Sequence, residues 1–146
     1  MDPGEVQLLF TIYNMKKNIF KSIGVIVLAF VANALLSMLT DFLLESIGVL
    51  PNPEKGLFET GAIILVLCYR GIYTVLAGVI IAKLAPRKPM LHAMILGAIG
   101  VVITLLAISS PAFAEKSRLW FGYTLIAITV PCLWLGVKVY GSWNKK

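Results

Sequence analysis

Arg70 lies near the middle of an apolar run, residues 60–82, that holds no other charge. At the centre of a bilayer a guanidinium costs about 2.5–3.5 kcal/mol on insertion scales, so it needs a partner, a water path or a task. A second set of polar side chains could supply the partner. Asn33, Ser37, Thr40 and Asp41 recur at i, i+4, i+7 and i+8, which puts them on one helix face, and Glu45 follows a turn later. Counted from Lys21 and Lys83 at about 1.5 Å per residue, Asn33 and Arg70 come to about 18 and 20 Å, nearly level. Reaching outward, a long arginine side chain can meet Asp41. Two chemistries follow. One is a structural network of hydrogen bonds and an ion pair joining two helices. The other is a polar cavity open to the outside, with Arg70 as an anion-attracting floor.

The remaining reactive residues offer less. His92 is the single histidine, and no neighbouring Cys, Asp or Glu could join it around a metal. It opens a third apolar run beside Arg87 and Lys88, and with them and Lys83 it reads as an interfacial cluster for anionic lipid headgroups. Cys68 and Cys132 both fall inside apolar runs with no CxxC spacing, so they read as buried, reduced packing residues. A Ser/His/Asp order, a carboxylate-rich metal motif, a glycine-rich phosphate loop and paired intramembrane acids are all missing. The expectation is a protein that is not an enzyme and uses no metal or cofactor.

What must position Arg70 is a set of membrane-length helices. Four apolar runs, residues 22–40, 60–82, 90–109 and 119–139, account for most of the 146 residues. Each is close to the roughly 20 residues needed to cross about 30 Å of hydrocarbon. A mean hydropathy of +0.90 is too high for a water-soluble domain of this size, and the polar remainder is too short for a second domain. We expect one all-α integral membrane domain over residues 1–146, a four-helix bundle.

The net charge of +6 is a topology signal rather than a nucleic-acid one. Nine basic residues (Lys16, Lys17, Lys21, Lys83, Arg87, Lys88, Lys138, Lys145 and Lys146) fall on one side of the runs. Lys55, Lys116 and Arg118 fall on the other, with Asp41, Glu45, Glu54, Glu59 and Glu115. By the positive-inside rule both termini face the cytoplasm. The first run reads as an uncleaved signal anchor, being too long for a cleaved h-region. Ahead of it, Val6, Leu9, Phe10, Tyr13 and Phe20 suggest a short interfacial helix. Pro51 and Pro53, Pro86 and Pro89, and Pro111 mark the turns, and Pro131 should kink the fourth run.

Small residues supply the packing signal. Ala93, Gly97, Gly100, Thr104 and Ala107 share one face of the third run; Gly71, Thr74, Gly78 and Ala82 form a stripe on the second. Such faces let helix backbones approach in lipid, and the short turn at residues 85–89 predicts that spans two and three pack on each other.

The run Tyr69-Arg70, Leu76-Ala77-Gly78, residues 82–92 with their Ala-Pro-basic-basic-Pro-Met-x-His turn, and residues 96–100 resembles a group of small four-span bacterial inner-membrane proteins. The resemblance covers about a third of the chain. It implies an inner-membrane location and links Arg70 to the turn, but brings no activity with it. The membrane glutamate of small multidrug exporters and the Thr-Thr-Phe-Ser signature of small fluoride channels are both missing. The expected role is therefore a structural or accessory membrane subunit or a self-associating bundle. Its partners would be lipids, further copies or a larger membrane complex, with no nucleic acid. The alternative is a small transporter or channel for an anion or polar solute with Arg70 at its site.

Overall fold

The computed structural model describes residues 1–145; Lys146, counted above with the C-terminal basic residues, lies outside them. Five helices follow in order: α1 (Pro3–Ser46), α2 (Thr60–Leu84), α3 (Pro89–Ile108), α4 (Pro111–Lys116) and α5 (Leu119–Trp143). Four of them, all but α4, are long and apolar enough to cross a membrane. The architecture is an all-α four-helix bundle of multi-pass type.

The helix ends follow local chemistry. Pro3, Pro89 and Pro111 each sit in a first turn, where a missing N–H costs nothing. The end of α1 is a Schellman motif: Gly48 takes φ 77°, its N–H donates to the Glu45 carbonyl, and the Val49 N–H donates to that of Leu44. Lys88, at φ 44°, turns the chain into α3. Pro111 both stops α3 and starts α4, a short helix the sequence reading did not anticipate.

Two expectations about α1 change. In place of a separate interfacial helix, residues 3–21 form the first turns of one 44-residue helix. At 1.5 Å per residue that is about 66 Å, about twice a hydrocarbon core. The apolar side chains of this segment, among them Leu9, Phe10, Tyr13 and Phe20, are exposed.

The packing order also differs from the expected hairpin. α2 packs most extensively on α5 and next on α1; α3 packs mainly on α5, and α2 touches α3 only lightly. The bundle therefore runs α1, α2, α5, α3 in space. A Cβ at Gly78 would lie 2.5 Å from the Leu133 carbonyl oxygen and 3.1 Å from the Cα of Gly136. Gly136 in turn sits against the Val75 carbonyl. Two glycines thus bring the α2 and α5 backbones into direct contact, which any side chain would prevent. The small face of α3 also meets α5, not α2: Cβ atoms at Gly97 and Gly100 would touch Leu133 and Thr129 at 3.3 and 3.5 Å. Gly71 faces Cys132 on α5 at 3.9 Å, and Ala93 is buried. The short turn fixes sequence adjacency, but glycine on α5 decides which backbones approach.

The apolar core divides in two. One cluster centres on Val25, Ala29, Ala77, Ile81, Ala93, Leu96, Leu133 and Val137. The other, nearer the 47–59 loop, holds Leu50, Ala62, Ile63, Val66, Tyr69 and Phe121. Arg70 belongs to neither cluster. The loop at this end is stitched to the α4–α5 turn: Leu57 N–H donates to the Lys116 carbonyl at 2.6 Å and Arg118 Nε to that of Phe58 at 2.8 Å. Gly56, at φ 73°, permits this approach, since a Cβ there would lie 2.6 Å from the Lys116 carbonyl oxygen.

Candidate functional site

Arg70 on α2 donates from Nη2 to Asp41 Oδ2 on α1 at 2.8 Å. The neighbouring Tyr69 hydroxyl donates to the other carboxylate oxygen of Asp41. One turn on, the Tyr73 hydroxyl and Thr40 are 2.6 Å apart. Because Thr40 spends its own proton on the Leu36 carbonyl, Tyr73 is the donor there. α2 therefore reaches α1 through Arg70, Tyr69 and Tyr73, and Asp41 accepts from two of them. The pair is not sealed: 36% of the Arg70 side chain and 25% of the Asp41 side chain are exposed.

Arg70 lines two cavities, and Asp41 the second of them. A mid-bundle cavity of about 300 Å³ is walled by all four long helices; its polar wall is Asn33 and Ser37 of α1, Arg70 and Thr74 of α2, Thr104 of α3 and Thr129 of α5. A second cavity of about 190 Å³ lies under the loop end and includes Asp41, Glu45, Arg70 and Lys116. Arg70 is thus the one charged side chain lining the first cavity and one of four lining the second. Two buried polar atoms in the mid-bundle wall have no partner among the described residues, Asn33 Oδ1 and Arg70 Nε. Leaving such atoms unsatisfied costs about 1–3 kcal/mol each.

Of the sequence candidates, Arg70 and Asp41 pair directly, Asn33 and Ser37 line the mid-bundle cavity without bonding the arginine, and Glu45 lines the vestibule. Sequence reasoning missed Tyr69, Tyr73, Thr104, Thr129 and Lys116. The tyrosines had a signal, since Tyr69 and Tyr73 stand four apart on one face and Tyr73 is three from Arg70, within side-chain reach of it. Lys116 had none, because only the fold of the loops brings it near.

The headgroup cluster changes in one member. Lys83, Arg87 and Lys88 are exposed, but His92 is buried at 7% exposure, its Nδ1 3.1 Å from the Lys88 carbonyl. It faces into the protein because α3 turns that side inward, next to buried Ala93. Cys132 is half-buried, whereas Cys68, expected to be buried, is exposed. Among the described residues no cluster of His, Cys, Asp and Glu has the makings of a metal site. Comparison with protein-family models, with curated proteins and with solved structures finds no match for this chain.

Proposed function

We propose that this protein is a non-enzymatic membrane protein that binds a small polar solute at Arg70 and passes it between the two cavities. One observation carries the reading: a single mid-helix arginine, partly exposed, lines both chambers. Water beside an ion pair weakens its attraction, so an open position at Arg70 suits binding better than cohesion. The paired Asp41 offsets the insertion cost of the arginine, and Ser37, Thr74, Thr104 and Thr129 leave hydrogen-bonding capacity in the wall.

The test is solute flux into proteoliposomes of the full chain, using a panel of neutral, anionic and cationic small molecules. Flux of at least one above protein-free vesicles, lost in Arg70→Met/Asp41→Asn, supports the reading. The double variant removes both charges together, so no carboxylate is stranded. Equal flux with and without the protein for every solute would refute it.

The distribution of basic residues supports both termini in the cytoplasm, and the resemblance of the residue 82–92 turn to small bacterial inner-membrane proteins supports an inner (plasma) membrane. Exposed Lys83, Arg87 and Lys88 support contact with anionic headgroups on that face. Cysteines introduced at Asn52 and Glu115 should then react with impermeant reagents outside cells, and one at Lys88 should not. A second reading, a self-associating or accessory subunit, is favoured by the exposed apolar N-terminal half of α1. Cross-linking between copies through Phe10→Cys in membranes tests it.

A further inference from the structure

The hydrogen-bonding state of the mid-bundle wall specifies a solute class. Thr74, Thr104 and Thr129 each donate their hydroxyl proton to a carbonyl four residues earlier, at 2.8, 2.8 and 2.6 Å. A hydroxyl has one proton to give, so each of these three retains only lone pairs. The three threonines come from three different helices around one space. Their hydroxyls are therefore acceptors in a chamber walled by α1, α2, α3 and α5.

Charge points the same way. Arg70 is the one ionised side chain in this wall, and Asp41 neutralises it at 2.8 Å. An anion entering the chamber would have to compete with that carboxylate for the guanidinium. The Tyr69 hydroxyl further stabilises the carboxylate as the arginine's partner. A cation would find no free carboxylate in the wall. The same wall also carries donors, the Ser37 hydroxyl and the Asn33 amide. What suits it is an uncharged molecule with several hydroxyl groups, which donate to the threonine oxygens and accept from Ser37 and Asn33. About 300 Å³ is the space of about ten waters at about 30 Å³ each, room enough for a small polyol.

We infer that the mid-bundle cavity takes a small neutral polyol-like solute, whose hydroxyl protons are received by the threonine oxygens. This inference rests on the solute-passing role proposed above and takes a neutral solute in place of the anion considered from the sequence. A site built on hydrogen bonds discriminates against molecules that cannot make them.

The experiment compares erythritol and chloride flux in proteoliposomes of the full chain, wild type and Thr104→Val, with Thr129→Val as a second variant. The valines match threonine in shape and delete an acceptor. The expected result is erythritol flux above protein-free vesicles, no protein-dependent chloride flux, and about a 2- to 10-fold loss of erythritol flux in either variant, as for one hydrogen bond. Chloride flux without erythritol flux would overturn the neutral-solute inference and leave the solute-passing role standing. Erythritol flux unchanged in both folded valine variants would overturn the threonine assignment. No protein-dependent flux of either solute, or of any other in the panel, would overturn both.

Discussion

Arg70 and Gly78 are eight residues apart on α2, about 12 Å along the helix, and they meet their neighbours in opposite ways. At Gly78 the α2 and α5 backbones touch, with no room for a methyl group. Around Arg70 the four long helices leave a space of about 300 Å³. The close crossing anchors α2, and the polar layer spans the gap with an ion pair and two tyrosine hydrogen bonds. In lipid no hydrophobic force drives helix against helix, so backbone contact at small residues provides the cohesion. The gap is then free to serve chemistry.

The largest effect should come from filling the crossing. Gly136→Leu puts a side chain against the Val75 carbonyl and Gly78, and rigid backbone on both sides cannot yield. Loss of about 3 kcal/mol or more is expected, read as failure to fold or a collapsed unfolding midpoint in mild detergent. A stable Gly136→Leu protein would break the contrast at its tight end. Gly97→Leu should cost less, about 1–3 kcal/mol, because it meets the movable ends of Leu133 and Val130 rather than backbone. A cost equal to that of Gly136→Leu would mean that α3 is as rigidly held as α2.

The polar layer should respond most weakly. Because the pair is partly exposed, the coupling between Arg70→Met and Asp41→Asn should be about 0.5–1 kcal/mol in a double-mutant cycle. Strict additivity would show that the two side chains do not interact. Coupling of several kcal/mol would show a dry pair and remove the argument for solute access.

The four membrane-length helices were readable because run length and apolarity alone set them. So was the Arg70–Asp41 encounter, since a buried charge calls for an acceptor and the Asn33–Asp41 stripe offered one at matching depth. The error came where local signals compete. Spans two and three each carry a small-residue stripe and share a short turn, yet both stripes face α5, where Gly136 admits α2 more closely than anything on α3 does. Nothing in a stripe of small residues names its partner. The separate interfacial helix was lost for a similar reason: after Pro3 and Gly4 in the first turn, residues 5–21 hold no proline or glycine to end one helix before the next, so α1 runs through. The acceptor state of the threonines depends on side-chain rotamers, which a sequence does not reveal.

Water access to the mid-bundle cavity is the sharpest point of decision. Ser37 lines that cavity, so Ser37→Cys, in a protein with Cys68 and Cys132 replaced, reports on it directly. In proteoliposomes the introduced thiol should react with a small water-soluble thiol reagent and should be protected by erythritol. If Ser37→Cys stays unreacted while Asn52→Cys on the loop reacts fully, the cavity is closed to water and the Arg70 layer is structural.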